Sequence, residues 1–299
     1  MLPENLVDGE NLAEAENSSG PSSFVQLKST LKSAPVLAAL LLLGAVVFVA
    51  LGAPFLGTVD PIAIDPGERL RRLSAAHWLG TDAFGRDVYS RVMYGARISL
   101  LVGLGASFAS VVLGLLIGVI AGYIRRADGI IMRVMDGVMA IPAILLAVAL
   151  VTLSGGSLLT VVVAITIPEI PRVVRLVRSV ILTIRGEPYV EAAISLGTPL
   201  PALLFRHMVP NTVAPLIVQG TFVFASAMLT EAAMSFLGVG LPPEIPSWGN
   251  IMAEGRIYFQ LMPGLIVYAG LFLALTVLSI NVLGDAMRDA LDPRLARKL

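Results

Sequence analysis

The chain has 299 residues, of which 56% are hydrophobic and 14% charged, with equal numbers of acidic and basic side chains. Soluble globular proteins are closer to roughly half apolar and roughly a quarter charged. Two stretches, 33–59 and 98–124, contain no charged residue. Each is long enough to cross a hydrocarbon core of about 30 Å. The composition therefore predicts a membrane protein and excludes an ordinary soluble domain.

The residues that usually carry metal, redox or nucleotide chemistry are scarce. The sequence has no cysteine, and its two histidines, His77 and His207, are far apart, so neither a disulfide nor a His-Glu-x-x-His zinc site is available. None of the three lysines follows a glycine, so the phosphate loop of nucleotide-binding proteins is missing. We expect no cofactor and no metal, and if ATP drives this protein, another chain must bind it.

Hydropathy divides the chain into four parts. Residues 1–30 are polar and acidic and are predicted to form a disordered cytoplasmic tail. Residues 31–60 form a first transmembrane anchor helix, and 61–97 form an extracytoplasmic segment with an interfacial helix that continues into the second span. On that interfacial helix, Asp87 and Arg91 stand four positions apart and are expected to pair. Residues 98–299 form a core with five more transmembrane helices. The six predicted spans are 35–56, 98–123, 137–153, 158 to about 178, 213–237 and 263–283.

This pattern predicts an all-α polytopic membrane protein. Six spans place both termini on the same side. With the termini in the cytoplasm, the inner segments hold twice as many Lys and Arg residues as the outer ones. Because basic loops stay in the cytoplasm, the bias favours that orientation.

The connection between the fourth and fifth spans, about residues 183–211, contains proline and glycine residues at positions that indicate where helices begin and end. Pro188 suits the first position of a short helix over 188–196, and Gly197 suits its left-handed C-terminal cap. Thr198 and Pro199 can begin a second helix. Pro210 is predicted to end that helix before the fifth span. The sequence thus predicts a compact cytoplasmic helix-turn-helix.

The first of these two helices is suited to contact another protein. Ala192 and Ala193 are small enough to let the helix enter a groove on a partner, and Glu191 can meet a base there. The alternative is an ordinary amphipathic connection that proline residues merely keep tight.

The order of these residues resembles the E-A-A-x-x-x-G…P signature of ABC importer permeases, with His207 and Val209 departing from the usual side chains. The resemblance implies that the connection couples the permease to an ATPase. The residues that it implies for this role are Tyr189, Glu191, Ala192, Ala193, Gly197, Arg206, His207 and Pro210.

Further segments narrow the resemblance to the dipeptide/oligopeptide branch of these permeases and, within it, to the subunit labelled C. The matching segments are 77–87, 94–100, 132–136, 235–240, 248–249 and 284–293. The resemblance implies a type I importer permease that forms half of a peptide path across the bacterial inner membrane. Its partners would be a second homologous permease in a heterodimer, two ATPase subunits and an extracytoplasmic peptide-binding protein. It implies no catalysis and no nucleic-acid partner, and a nickel or other small-solute importer is the alternative.

Several acids near the predicted spans need an explanation, because a charge within a bilayer is costly unless it faces protein or water. We expect Glu169 to pair with Arg172. Glu231, near Ser235, is either a contact for a peptide ammonium group in the translocation path or a structural pair with a base of a partner subunit. Asp136 is expected to cap a helix N-terminus.

Two other classes of membrane protein fit the sequence less well. A secondary transporter would carry acids at mid-membrane on broken helices related by an internal repeat, and no repeat is evident. A membrane-embedded hydrolase would need a nucleophile with a base, or a metal set, and the chain offers only two histidines outside the predicted spans.

Overall fold

The structure is a computed structural model that describes residues 33–291, so the acidic tail predicted for residues 1–30 lies outside the described part. Within that part all regular secondary structure is helical, which confirms the all-α class. The helices are α1 (Ala34–Gly52), α2 (Val88–Tyr123), α3 (Arg125–Met139), α4 (Ala143–Ser154), α5 (Leu158–Ile184), α6 (Pro188–Ser195), α7 (Leu200–Ala202), α8 (Val213–Phe236), α9 (Trp248–Ile257) and α10 (Gly264–Leu291).

The second helix is longer than a bilayer requires. Helix α2 runs for 36 residues without a break, so the helix predicted before the second span is continuous with that span. At 1.5 Å per residue it is about 54 Å long, well beyond a hydrocarbon core of about 30 Å. Asp87 caps its N-terminus by accepting a hydrogen bond from the Ser90 amide at 2.8 Å.

The predicted third span is not one straight helix. Helices α3 and α4 meet at an angle of 86°. Pro142 stands at the bend, where it has no amide hydrogen to donate and disfavours helical backbone in the residue before it. Asp136 consequently lies near the C-terminal end of α3 and not at a helix N-terminus, which corrects our expectation, and it pairs with Arg175 at 2.6 Å.

Helices α2 and α5 form the most extensive helix pair among the described residues. Every fourth residue on the contact face of α2 is a glycine, from Gly114 to Gly122. A methyl group at Gly118 would lie only 2.7 Å from the Val177 Cβ atom, so the two backbones approach as closely as they do because side chains are absent there.

Four helical segments are long and apolar enough to cross a membrane, and a fifth exists if α3 and α4 are one broken span. The single segments are Ala34–Phe55, Val88–Tyr123, Leu200–Phe236 and Gly264–Leu291. Helix α5, the predicted fourth span, is long enough but carries Glu169, Arg172 and Arg175. The chain is therefore a multi-pass membrane protein, and the count of six spans stays a prediction.

Candidate functional site

The short helix of the connection between α5 and α8, which we call the inner connection because it is predicted to face the cytoplasm, forms as the sequence predicts. Helix α6 begins at Pro188 and ends before Gly197, whose φ is +76°, so the left-handed cap is confirmed. The Thr198 amide donates to the Ala193 carbonyl at 3.1 Å, and the Gly197 amide donates to the Ile194 carbonyl at 2.9 Å. This pair of bonds is the Schellman motif, which satisfies carbonyl groups that the helix end would leave open.

One face of α6 is packed against the rest of the chain. Val190 and Ala193 are buried in a small cluster with Ile184 of α5 and Leu203. Ala193 therefore points into this protein, whereas Ala192 is exposed. Of the two alanines expected to meet a partner, only Ala192 presents its side chain outward.

The opposite side of the connection leaves large apolar side chains uncovered. Leu196 is 86% exposed and Phe205 is 69% exposed, and Leu196 lies outside the segments that are long and apolar enough to cross a membrane. We call the exposed apolar residues of this connection the inner apolar set: Tyr189, Ile194, Leu196, Leu200 and Phe205. Glu191 and Arg206 are exposed beside them. Exposed apolar groups of this size usually mark a contact with another protein or with lipid.

The second half of the connection differs from the prediction. Helix α7 begins at Leu200, widens into a π-helical turn over Leu203–Met208 and tightens into a 3₁₀ turn over Val209–Thr212 before α8. We expected Pro210 to end the helix, and it does not. The wider and tighter turns accommodate its missing amide hydrogen, and helical backbone continues from Leu200 to Phe236.

A polar link joins the two halves of the connection. The Asn211 side-chain amide donates to the His207 carbonyl at 2.9 Å and to the Tyr189 hydroxyl at 3.3 Å. Sequence reasoning named Tyr189 and His207 but missed Asn211. His207 enters this link through its backbone, so the departure of its side chain from the signature does not disturb it.

At the other end of the molecule, four charged side chains form a buried network: Asp82, Arg86, Arg91 and Glu254. Arg86 Nε lies 2.7 Å from Asp82 Oδ2, and Arg91 Nη2 lies 3.2 Å from Glu254 Oε1. Arg91 Nη1 is 3.2 Å from Asp82 Oδ2, near enough for attraction but without hydrogen-bond alignment. Burial raises the pKa of Glu254, and the two arginines act in the opposite direction. The network fastens α9 to α2 and to the segment before it.

This network corrects one expectation. Helical spacing alone suggested that Asp87 and Arg91 pair with each other. Asp87 instead caps α2 and accepts a contact from the His77 ring at 2.9 Å, so its carboxylate is already engaged. Arg91 turns to Asp82 and Glu254, which are brought near it by the tertiary fold.

Glu231 and Ser235 lie inside the protein and not on an open face. Their exposed fractions are 0% and 2%, which does not suit the lining of a path. The hydroxyl groups of Ser235 and Ser247 donate to Glu231 Oε1 at 2.9 and 2.8 Å. Ser247 also caps α9. Glu231 thus holds α9 against α8, with hydroxyl groups in place of the basic partner that we considered.

The predicted pairing of Glu169 with Arg172 is confirmed at 3.0 Å. No pattern in the sequence indicated a third member, Ser226 of α8, whose hydroxyl group donates to Glu169 Oε1 at 3.0 Å. The buried carboxylate therefore bridges α5 and α8.

The chain is similar to known membrane transport proteins over most of its length. Residues 110–297 match the family described as "Binding-protein-dependent transport system inner membrane component". A probable peptide ABC transporter permease protein of Sinorhizobium fredii is 54% identical over 249 residues, which are 83% of this chain and 85% of that protein. A dipeptide transport system permease protein of Alkalihalophilus pseudofirmus is 39% identical over 274 residues, 91% of this chain and 89% of that protein. A glutathione transport system permease protein of Pectobacterium atrosepticum is 42% identical over 223 residues, 74% of each chain.

These matches agree with the helical architecture described above. The family supplies the membrane permease of ABC transporters, in which other subunits hydrolyse ATP and a binding protein delivers the solute. The chain belongs to the family of inner-membrane components of binding-protein-dependent transport systems and is a multi-pass, non-catalytic permease subunit.

Proposed function

We propose that this permease imports peptides and forms one half of the translocation path of an ATP-driven transporter. The observation that carries the proposal is the 54% identity, over 83% of the chain, to a permease protein named for peptides. A second homologous permease would form the other half of the path as a heterodimer. Two ATPase subunits and an extracytoplasmic peptide-binding protein would complete the complex.

The inner connection is the surface on which we expect an ATPase to dock. Its uncovered apolar residues, above all Leu196 and Phe205, need a partner, and Glu191 and Arg206 supply charges beside them. Of the residues implied by the resemblance, Ala193, Gly197 and Pro210 shape the backbone of this surface. Tyr189, Glu191, Ala192 and Arg206 present side chains on it, and His207 serves through its carbonyl group.

The contacts of α6 suggest how motion would reach the membrane. Val190 and Ala193 pack on Ile184 at the end of α5, and Tyr189 is linked through Asn211 to the start of α8. ATP would draw the two ATPase subunits together and shift α6, and α5 and α8 would follow. The path would then open outward to accept peptide, and hydrolysis would reset it. This is alternating access driven by another chain.

We further propose that both termini face the cytoplasm, as the excess of bases in the inner segments favours. Because the chain has no cysteine, single cysteines placed at Ala76 and Ala127 can be labelled without background. An impermeant thiol reagent on intact cells should label position 76 and leave position 127 unlabelled until the membrane is opened. The reverse pattern would contradict the orientation and the direction of transport.

Transport is tested with the complete complex in proteoliposomes. With ATP inside the vesicles and loaded binding protein on the other side, we expect labelled peptide to accumulate. The permease pair without ATPase subunits should neither hydrolyse ATP nor accumulate peptide. ATP-dependent accumulation of nickel, with no accumulation of peptide, would replace the proposed substrate. ATP hydrolysis by this chain alone would contradict the proposal that only the ATPase subunits hydrolyse ATP.

A further inference from the structure

A groove lined by α5, α8 and α10 lies one helical turn from Arg172, a half-exposed base on α5. We propose that Arg172, held in place by Glu169 and Ser226, contacts the terminal carboxylate of a peptide as the peptide crosses the membrane. The inference rests on the proposed function, since it assigns a substrate contact to the path. It also replaces Glu231 and Ser235, which are buried, as the part of this chain that meets the substrate.

The first observation is the way in which Arg172 is held. Glu169 has a side chain that is only 5% exposed, whereas the Arg172 side chain is 52% exposed. Both hydrogen bonds that Arg172 makes within the described residues come from one nitrogen, Nη1, to the two oxygens of Glu169 at 3.0 and 3.1 Å. Ser226 holds the same carboxylate from α8. The remaining N–H groups of the guanidinium, on Nη2 and Nε, thus have no acceptor in the part of the chain that is described.

The second observation is where this guanidinium lies. Helix α5 is the predicted fourth span, and a half-exposed arginine in a span is costly unless it faces protein or water. The buried carboxylate beneath Arg172 satisfies part of its charge but only one of its nitrogens. An anionic group with two acceptor oxygens fits the open donors, because carboxylates and guanidinium groups form paired, charge-assisted hydrogen bonds.

The third observation is a groove beside this position, lined by α5, α8 and α10 but not by Arg172 itself. It has a volume of about 440 Å³, and its lining includes Leu176, Gln219, Phe222 and Arg288. Leu176 lies one helical turn after Arg172 on α5, and Phe222 lies one turn before Ser226 on α8. Gln219 can bond a peptide amide and Phe222 offers an apolar surface, and Arg288 is a second base.

The charges of this region favour the carboxyl end of a peptide over its amino end. Arg288 lines the groove and Arg172 lies one helical turn from it, and the acid beside Arg172, Glu169, is buried and occupied by Arg172 and Ser226. A peptide ammonium group would meet like charge there. A C-terminal carboxylate would meet the open donors of Arg172.

The test compares peptides with a free C-terminal carboxylate and the same peptides with a C-terminal amide. Maximal uptake rates are measured in proteoliposomes with the complete complex and saturating, fully loaded binding protein, so that affinity for the binding protein does not enter. We expect Arg172→Gln to lower the ratio of acid to amide uptake about tenfold, which corresponds to losing a hydrogen bond to a charged group. Arg172→Lys, which keeps the charge, should retain most of the preference.

Arg175→Gln is the matched control. It removes a base of similar exposure from the next turn of α5, but Arg175 pairs with Asp136 of α3 and is not held by Glu169 and Ser226. We expect its acid-to-amide ratio to equal that of the parent complex. An unchanged ratio in Arg172→Gln would contradict the proposal, as would an equal fall in both variants.

Two further outcomes distinguish a failure of this inference from a failure of the proposed function on which it rests. If the parent complex imports no peptide at all, the proposed function fails and this inference fails with it. If the parent imports peptide but Arg172→Gln no longer assembles with the second permease, Arg172 serves the subunit interface, and the substrate contact is contradicted while the function stands.

Discussion

The two ends of this permease differ in how a short helix is held in place. At the end that we propose to face outward, α9 is held by partners from within the chain. The Asn250 side-chain amide donates to three backbone carbonyls at 2.8 to 3.2 Å, the Trp248 ring N–H donates to the Val92 carbonyl at 3.0 Å, and Glu254 meets two arginines. On the inner side, α6 buries only Val190 and Ala193 and leaves Leu196 almost fully exposed.

The difference indicates which end depends on other subunits for its shape. The outer cap, meaning α9 with residues 56–87, is held by hydrogen bonds and ion pairs from within the chain and should keep its structure in the isolated chain. The inner connection has few contacts of its own and an uncovered apolar surface. Segments with few buried contacts open at low free-energy cost, so the inner connection should become rigid only when a partner covers it.

The largest effect should follow from breaking the outer network. Arg91→Met removes the guanidinium that lies between Asp82 and Glu254, and it leaves Glu254 with Arg86 as its only base in the network. Removing one partner of a buried ion pair costs about 3–5 kcal/mol. We expect a marked fall in the thermal unfolding temperature of the detergent-solubilised complex.

The double variant Arg91→Met/Glu254→Met provides the control for charge balance. It leaves Asp82 paired with Arg86 at 2.7 Å and removes the buried acid together with its base. We expect it to be more stable than Arg91→Met, since a charge pair replaced by apolar groups is often nearly neutral. A double variant less stable than the single one would mean that Arg91 does not stabilise the cap through Glu254.

A smaller effect is expected at the cap of α6. Gly197→Val forces a β-branched residue into left-handed backbone, at a cost of about 1–2 kcal/mol. The change should loosen the two Schellman bonds and misdirect α6, so that ATPase subunits no longer co-purify with the permease pair. Asn tolerates this conformation better, and Gly197→Asn should retain most of the binding. Equal binding by both variants and the parent would show that the cap does not orient the docking surface.

The smallest effect on stability, with a large effect on assembly, is expected for Leu196→Ser. The side chain is 86% exposed, and such surface changes usually alter stability by less than about 0.5 kcal/mol. Affinity for the ATPase, measured by titration of the purified subunit, should nevertheless fall. Leu73→Ser makes the same change at an exposed leucine of the outer cap and should leave that affinity unaltered. Equal affinities for both variants would show that Leu196 is not part of the docking surface.

The features that sequence predicts well here are local. The cap at Gly197 depends on one residue and its neighbours, and the ion pair of Glu169 with Arg172 joins positions three apart on one helix. Each follows from backbone preference or helical spacing without knowledge of the fold.

The features that could not be predicted depend on distant partners. Arg91 and Glu254 are 163 positions apart, so no periodicity could join them, and helical spacing assigned Arg91 to Asp87 instead. The burial of Ala193 depends on where Leu203 returns after the turn. We predicted one straight span over 137–153, which contains Pro142, and therefore did not expect the bend there. As a result we placed Asp136 at a helix N-terminus, whereas it lies near the end of α3.

The glycine contacts between α2 and α5 have a mechanical consequence. Because Gly114, Gly118 and Gly122 let α2 approach α5 closely, we expect the two helices to move as one rigid unit. Helix α5 has 27 residues, so this unit is about 40 Å long, and each degree of tilt moves its far end by about 0.7 Å. If a partner displaces α6, which follows the end of α5, we therefore expect the paired helices to carry that displacement to the opposite end of α5.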